Sequence, residues 1–242
     1  MRVLIACEYS GTVRDAFIAA GHDAMSCDIL PSDRPGPHYQ GDIVDVLHYD
    51  SWDMMIAHPP CTHLAVSGAK HFAAKQADGR QAAALEFVQL LMDAPIPRIC
   101  IENPVSIIST RIRKPDQIIQ PWQFGHEATK TTCLWLKGLP PLVPTDIVGR
   151  GARHVTKSGK SLPVWYNLPP SPTRWKIRSA TFQGIADAMA AQWSDDKVTV
   201  TVTHIALGWL VRVRGDHQAT LGGQNLFTNE ADALAYARRI AC

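Results

Sequence analysis

The sequence lacks the features that mark membrane proteins, disulfide-rich proteins and disordered chains. Its 242 residues contain no apolar run of about 18 residues, so no membrane span is expected. Its six cysteines are widely spaced without a C-x-x-C pair, which excludes a disulfide framework and a zinc ribbon. Hydrophobic residues make up 46% and charged residues 19%, which predicts a packed core. The opening stretch "MRVLIACEYSG" runs straight into a strand-like segment, which favours a cytoplasmic location.

Acidic residues are absent from residues 150–180, although that stretch holds seven of the 24 basic residues of the chain. Trp165, Tyr166 and Trp175 are interleaved with these cations. Cations contact phosphates and aromatic rings stack on bases, so this segment predicts a polyanionic partner, with a solvated basic loop as the alternative. The predicted nucleic-acid contacts in this stretch are Arg150, Arg153, Lys157, Lys160, Arg174, Lys176 and Arg178.

A G-x-G-x-x-G motif is also missing, yet the chain opens like a nucleotide-binding unit. "RVLIAC" predicts a buried strand, "EYSG" a turn, and "TVRDAFIAAG" a helix. Asp28 ends the next predicted strand, where a carboxylate accepts hydrogen bonds from ribose hydroxyls. The lack of the glycine motif disfavours a dinucleotide pyrophosphate, and S-adenosylmethionine suits the turn better. The alternative is an ordinary strand–helix turn with a surface aspartate.

Strand-like and helix-like segments alternate through the first part of the chain. This alternation predicts an α/β fold with a doubly wound, Rossmann-like, mostly parallel sheet and helices on both faces. We expect one domain over residues 1–195, with a loosened, recognition-type segment over about 138–180. Residues 196–242 predict a separate small β-β-(β)-α unit after the linker "SDDK". Ligands of such sheets gather at the carboxyl ends of the strands.

Cys61 follows the strand-like "MMIA" and two prolines, at one of those strand ends. A thiol in that place suits a nucleophile. Two alternatives stay open at this point: an inert packed cysteine, and a metal site in which His58 and His63 join Cys61, although their spacing matches no known zinc pattern. Glu102 ends the next predicted buried strand, where a carboxyl group with a raised pKa would protonate a ring nitrogen. A solvent-facing glutamate is the alternative there.

Taken together, these segments resemble the DNA (cytosine-5)-methyltransferases, and specifically a compact, phage-type member with a reduced target-recognition region. The match covers residues 1 to about 193. The matching segments, in chain order, are "EYSG" (8–11), Asp28, "GDI" (41–43), "HPPCT" (58–62), "IENP" (101–104), "KTTCLWL" (130–136) and "TFQGIADAM" (181–189). The resemblance implies methyl transfer from S-adenosylmethionine to C5 of a flipped cytosine in DNA, through a covalent bond from the cysteine to C6.

The resemblance also implies roles for individual residues. The implied catalytic residues are Cys61, Glu102 and Lys130. The implied cofactor-binding residues are Glu8, Tyr9, Ser10, Gly11, Asp28, Asp42, Ile43, Pro59 and Gly184. Lys70, in a small-residue loop predicted over residues 62–78 and expected to close over the base, joins the cations of residues 150–180 as an implied DNA contact. Neither a metal, a membrane nor an obligate protein partner is implied.

Several positions depart from the family pattern. The usual glycine pair after the first motif is replaced by Thr12 and Val13, Pro104 stands where the family has Val, and the Arg-containing strand keeps only Lys130. Two other readings remain. An amino-methyltransferase acting on DNA bases would need Asp or Asn before the prolines, where this chain has His58. A non-catalytic DNA-binding module would need neither the thiol nor the carboxylate.

Overall fold

The structure, a computed structural model, describes residues 1–47, 51–194, 199–205, 208–214 and 225–227, together with residues 231 and 234. The chain divides into two compact units, Met1–Ser194 and Asp195–Cys242. Because each unit is internally packed, the two are described separately.

The first unit is built on a seven-stranded sheet with helices between the strands. Its strands are β1 (Arg2–Ala6), β2 (Asp23–Asp28), β3 (His38–Gln40), β4 (Met54–Ala57), β5 (Arg98–Pro104), β6 (Gln117–Ile119) and β7 (Thr132–Lys137). Its helices are α1 (Thr12–Ala19), α2 (Ile43–Leu47), α3 (Phe72–Ala77), α4 (Arg80–Met92), α5 (Ile108–Arg111), α6 (Arg174–Ser179) and α7 (Gln183–Trp193). A short hairpin, β8 (Arg153–Val155) and β9 (Ser161–Pro163), lies apart from the sheet.

The strands are arranged in the order β3-β2-β1-β4-β5-β7-β6. Neighbouring strands from β3 to β5 are parallel, and β7 runs antiparallel to both β5 and β6. The strand order reverses between β1 and β4, so the connections after these two strands leave in opposite directions. That reversal opens a crevice at their carboxyl ends, which is where such sheets bind ligands.

Helices cover both faces of the sheet, because the central strands are apolar on both sides. In β1, Val3 and Ile5 face α1 and α7, where they join a core that contains Phe17, Met189 and Trp193. The intervening residues of β1 face the opposite layer. Side chains alternate along a strand, so a run without polar residues must be buried on both faces.

The opposite core is built from α2, α4 and α5 against the same strands. Leu4, Met55 and Ile101 meet Val88 and Leu91 of α4 in that layer. The predicted α/β class, with a Rossmann-like, mostly parallel sheet between two helical layers, is therefore confirmed.

The segment after Cys61 differs from expectation. Residues 62–78 were expected to form a loop, but they contain a 3-10 turn (Val66–His71) followed by α3. Lys75 of α3 is buried, and its ammonium donates a hydrogen bond to the Thr62 carbonyl. Alanine-rich sequence favours helix over loop, and this lysine fixes the short helix against the turn that carries the thiol.

The second unit contains an antiparallel sheet of β10 (Thr199–Ile205), β11 (Gly208–Arg214) and β12 (Asn225–Phe227). The strict alternation that predicted its first two strands is confirmed. The predicted linker "SDDK" and most of the predicted helix over residues 228–241 lie outside the described residues; Ala231 and Leu234 are helical. No helix in the described ranges combines the length and apolar character needed to cross a bilayer.

Candidate active site

Most of the residues singled out by the sequence meet at one edge of the sheet. Glu8 to Gly11 follow β1, Asp28 ends β2, and Cys61 follows β4 after a three-residue turn. Glu102 lies near the end of β5, and the antiparallel strand β7 begins at this same edge with Thr132, shortly after Lys130. Parallel strands bring their carboxyl ends together, which explains why residues so distant in sequence are neighbours here.

The thiol of Cys61 is held by a rigid turn. Asn103, which is almost fully buried, donates a hydrogen bond from Nδ2 to the Pro59 carbonyl over 2.8 Å. The Cys61 carbonyl accepts hydrogen bonds from the backbone N–H groups of Leu64 and Ala65. Prolines at positions 59 and 60 restrict the backbone before the thiol. The chain therefore leaves β4 in one defined direction, with the thiol only partly exposed.

The pKa of Cys61 lies above its ordinary value of 9.0. Burial is the largest cause and the Glu102 carboxylate adds to it, whereas the positive charges of Lys130 and Arg178 act in the opposite direction. The nearby cations favour the thiolate, but burial outweighs them. The thiol is thus protonated at neutral pH and must lose its proton as it reacts.

Glu102 shows the opposite behaviour. Burial raises its pKa, but the hydrogen bond from His58, the charges of Lys130 and His58, and the Thr132 hydroxyl together lower it below the ordinary value of 4.5. The expectation of a raised pKa was therefore wrong for the substrate-free protein. The sequence offered no sign of His58 and Thr132 as partners, because both contacts depend on how β5 aligns with its neighbours.

Lys130 stands beside both reactive groups, since its charge lowers the pKa of Cys61 and of Glu102. Its ammonium donates a hydrogen bond to the Ala180 carbonyl over 3.3 Å. It also lies 5.8 Å from the Trp165 ring centroid and 5.9 Å from that of Phe182. These two rings contact each other at 5.0 Å, so aromatic side chains fix the position of the cation.

Glu8 shapes the turn at the cofactor end of the sheet. Its carboxylate accepts hydrogen bonds from the backbone N–H groups of Val13 (2.7 Å) and Arg14 (3.2 Å) and from the Ser10 hydroxyl (3.0 Å). Glu8 thus caps the amino end of α1. A negative group already occupies the position that a cofactor phosphate would take. Gly11 adopts a left-handed conformation (φ 69°) to start the helix.

Acidic groups surround the neighbouring thiol, Cys7, whose backbone has a positive φ of 58°. Its pKa is raised far above the ordinary range by burial and then by the charges of Asp28 and Asp42, among others. Both aspartates therefore lie within electrostatic reach of this thiol. Asp28 accepts the Leu30 N–H over 2.9 Å, and burial is the main cause that raises its pKa.

Two of the predicted cofactor residues are packed rather than open. Ile43 is buried in the core between α2 and the sheet. Ile29, at the same edge of the sheet, instead presents an apolar side chain that is 76% exposed. Gly184 lies against the loop before β7: a side chain there would overlap the Phe124 carbonyl, and its N–H donates to His126 Nε2 over 2.8 Å. Its observed role is close packing of α7.

Tyr9 connects the cofactor end to the basic segment. Its hydroxyl lies 2.8 Å from the Ser179 hydroxyl, and its ring lies 5.5 Å from that of Trp175, so α6 packs over the turn after β1. Lys176 of α6 also forms an ion pair with Asp33 at 2.6 Å. This packing brings Arg178 close enough to Cys61 to lower its pKa. Sequence reasoning assigned Arg178 only to DNA contact.

The remaining predicted DNA contacts fall into separate places. Arg153, Lys157 and Lys160 are exposed on the β8–β9 hairpin and its turn, and exposed Lys70 lies on the 3-10 turn after Cys61. Arg150 stacks over the Trp122 ring at 5.0 Å. Arg174, Lys176 and Arg178 of α6 are half-buried. Of these predicted contacts, Arg178 acts electrostatically on Cys61, and the contacts with DNA stay predictions.

The described residues do not support the alternative in which Cys61 binds a metal together with His58 and His63. Across the described ranges, no three His, Cys, Asp or Glu side chains are grouped closely enough to hold a metal ion. His58 instead pairs with Glu102, its Nδ1 lying 3.1 Å from Oε2. The five cysteines in the described part of the chain are unpaired.

No protein-family model matches this chain, and no curated protein sequence matches it. Among solved structures, the chain is similar to a prophage-encoded E. coli protein that carries the provisional name of DNA modification methyltransferase. The two share 16% sequence identity and a TM-score of 0.41 over 62% of this chain. The match spans 52% of that protein's length. A likeness of this size carries no weight for function, which has to be argued from the residues.

Proposed function

We propose that this chain transfers a methyl group from S-adenosylmethionine to C5 of cytosine in DNA, through a covalent bond between Cys61 and C6. One observation carries the proposal: Cys61, Glu102 and Lys130, which lie on three different parts of the sequence, act on one another electrostatically at a single edge of the sheet. Binding alone needs neither a positioned thiol nor a buried carboxylate beside it.

The pair of reactive groups suits addition to a cytosine ring. The Cys61 sulfur forms a bond to C6, the thiol gives up its proton, and the electrons of the C5–C6 double bond move toward N3. N3 takes one proton from the Glu102 carboxyl group. Because Glu102 starts ionised and Cys61 starts as a thiol, the carboxylate can accept the thiol proton and pass a proton to N3, which balances the step.

Addition at C6 makes C5 nucleophilic. When bound, S-adenosylmethionine supplies the electrophilic methyl group that such a carbon accepts. Loss of the C5 proton to solvent then expels the Cys61 sulfur from C6 as a thiolate, and the N3 proton returns through Glu102 to that sulfur, which restores the thiol and the ionised carboxylate. Lys130 and Arg178 stabilise the negative charge that appears on sulfur when the thiol loses its proton. A base in a duplex has to leave the stack to reach this edge.

The residues at the β1–β2 end fit the proposed cofactor. Asp28 and Asp42 give this end a negative potential, which suits a cationic sulfonium and an ammonium group and opposes a phosphorylated nucleotide. In our proposal Asp28 accepts the ribose hydroxyls, Ile29 offers an exposed apolar surface to the adenine, and Ser10 and Gly11 line the turn. Glu8 and Gly184 support this site by capping α1 and by close packing of α7.

In our proposal, the macromolecule that the protein binds and modifies is DNA. Tyr9, Trp175 and Lys176 pack α6 over the cofactor end, and Arg178 of the same helix stands near Cys61. A phosphate backbone that contacts α6 would therefore be held close to both halves of the site. The exposed cations of the β8–β9 hairpin extend this positive surface.

A trapping experiment tests the proposal. The full chain is incubated with S-adenosylmethionine and DNA that contains 5-fluorocytosine, whose fluorine cannot leave as a proton does, and the products are separated on a denaturing gel. We expect a covalent adduct that disappears in Cys61→Ala. Cys100→Ala, which removes a thiol buried in the middle of β5, serves as the control and keeps the adduct.

Other outcomes point elsewhere. Absence of both an adduct and C5 methylation on ordinary DNA would overturn the proposal. Labelled methyl groups on adenine N6 or cytosine N4 would indicate an amino-methyltransferase. Tight DNA binding without any transfer would indicate a binding module.

A further inference from the structure

His58, in the "HPPCT" segment, forms a side-chain hydrogen bond with the predicted general acid, Glu102. Its side chain is 10% exposed and that of Glu102 is 11% exposed, and the distance from His58 Nδ1 to Glu102 Oε2 is 3.1 Å. The strand register explains the contact. Ala57 of β4 is paired with Ile101 of β5, so the next residues along both strands, His58 and Glu102, become neighbours.

The backbone fixes the imidazole in this position. The His58 N–H donates to the Ala6 carbonyl over 2.9 Å, which continues the hydrogen bonding of β4 to β1 past the end of β4. Buried Pro59 follows and is held by Asn103. His58 is thus the last residue of the rigid sheet before the turn that carries Cys61.

We propose that His58 is a positioning residue for Glu102: its Nδ1–H donates to Oε2, holds the carboxylate ionised, and leaves Oε1 free for N3 of the cytosine. This inference rests on the proposed function, because the free oxygen matters only if Glu102 acts on a base. It adds a residue that the family resemblance does not require.

Burial shows why Glu102 needs such a partner. A buried carboxylate is costly, and burial by itself favours the protonated acid. The other groups that face it are the Lys130 ammonium, the Thr132 hydroxyl and the Cys61 thiol, with Arg178 beyond the thiol. Among the described residues, the His58 imidazole and the Thr132 hydroxyl are the groups whose hydrogen bonding lowers the pKa of this carboxyl group. A protonated Glu102 could not accept the proton of Cys61, so loss of His58 interrupts the transfer of that proton to N3.

The second nitrogen of His58, Nε2, is buried without a hydrogen-bond partner among the described residues. The contact of Nδ1 with Glu102 is therefore the side-chain hydrogen bond that the described part of the chain offers this ring.

Two variants and a matched control test the proposal. His58→Ala removes the hydrogen bond, whereas His58→Gln keeps an N–H donor that can reach the carboxylate. His22→Gln makes the same change at the far end of the sheet, where that ring contacts Ser194. Circular dichroism of all three full chains checks folding, and if His58→Ala does not fold, the comparison of His58→Gln with the wild type carries the test.

The first measurement is the titration of the Glu102 carboxyl carbon by 13C NMR in the substrate-free protein. The wild type should titrate below the ordinary value of 4.5. His58→Ala should titrate at higher pH, and His58→Gln should stay between the two. An unchanged titration in His58→Ala would overturn the proposal, whatever the protein does to DNA.

The second measurement is the rate of adduct formation with 5-fluorocytosine DNA. His58→Ala should slow it about 10- to 100-fold, the effect of losing one hydrogen bond to a charged group, with the KM for DNA within about twofold of the wild type. His58→Gln should restore most of the rate, and His22→Gln should match the wild type. If all four proteins formed the adduct at equal rates although the Glu102 titration had shifted, His58 would have no role in the reaction. A wild type without any adduct would defeat the proposed function, and the titration would still decide the role of His58.

Discussion

Two thiols stand at the carboxyl ends of adjacent strands, and their surroundings differ in sign. Cys7 follows β1 among carboxylates, and its pKa is raised by burial and then by Asp28 and Asp42. Cys61 follows β4, and although burial and Glu102 raise its pKa, Lys130 and Arg178 lower it. A thiol among acids has no route to a thiolate, whereas a thiol beside cations has one. Position at a strand end is therefore insufficient to make a nucleophile.

The same contrast divides the whole edge of the sheet. The β1–β2–β3 side is acidic and suits a cationic cofactor, and the β4–β5–β7 side carries the cations that suit an anionic partner. Helix α6 touches both sides, through Tyr9 on one and through the effect of Arg178 on Cys61 on the other. Four predictions can break or sharpen this comparison.

The largest effect is expected from Glu102→Gln, which keeps the size of the side chain and removes its proton transfer. The rate of adduct formation with 5-fluorocytosine DNA should fall about 10²- to 10⁴-fold, the usual contribution of a general acid or base. The control is Glu86→Gln on α4, a helix of the layer behind the sheet. If the rate of adduct formation in Glu102→Gln fell by less than about threefold, the groups on the basic side of the edge would not be the catalytic ones.

Asp28→Asn tests the acidic side. The Kd for S-adenosylmethionine, measured by calorimetry, should rise about 10- to 100-fold because charge-assisted hydrogen bonds to the ribose weaken. Since the pKa of Asp28 is raised above 3.8, mainly by burial, the wild-type affinity should fall as pH drops through that raised value. The variant should lose this pH dependence.

Asp23→Asn is the matched control, at the other end of the same strand, where the carboxylate is largely exposed and pairs with Arg2 at 3.5 Å. Its Kd should stay within about twofold of the wild type. Equal losses in both variants would show that the acidic end has no specific role in cofactor binding.

The order in which the two thiols react gives a third test. As pH rises, alkylation of Cys61, followed by peptide mass spectrometry, should reach its midpoint above 9.0 but before that of Cys7. Lys130→Met removes a cation that lowers the pKa of Cys61, so the Cys61 midpoint should move up and that of Cys7 should not. Lys114→Met, at an exposed position, should leave both unchanged. If Cys7 is alkylated at lower pH than Cys61, the contrast between the acidic and the basic side of the edge is wrong.

The smallest effect is expected from Tyr9→Phe. It removes the hydrogen bond of 2.8 Å to Ser179, so the free energy of unfolding in urea should fall by about 1 kcal/mol. Tyr39→Phe removes an exposed hydroxyl that donates to Asp45, and the free energy of unfolding should fall by less than in Tyr9→Phe. Equal losses would indicate that α6 is not fastened through Tyr9.

Much of this molecule followed from the order of apolar runs along the chain. The runs "VLIA", "MMIA" and "ICI" contain no polar residues, so they had to be strands buried on both faces, and the helix-like segments between them required parallel pairing. Cys61 and Glu102 could be placed at strand ends for the same reason. The prediction of a loop over residues 62–78 was wrong. The alanines of this stretch form helix α3, and the buried Lys75 holds that helix by donating a hydrogen bond to the Thr62 carbonyl.

The sequence alone determined which residues stand at the ends of the strands, because hydrophobic runs set where each strand stops. Only the tertiary structure decided their protonation. The register that pairs Ala57 with Ile101 brings His58 to Glu102, and the packing of α6 brings Arg178 to Cys61. Burial and the charges of such distant neighbours control a pKa, and neither can be read from a residue and its neighbours along the chain.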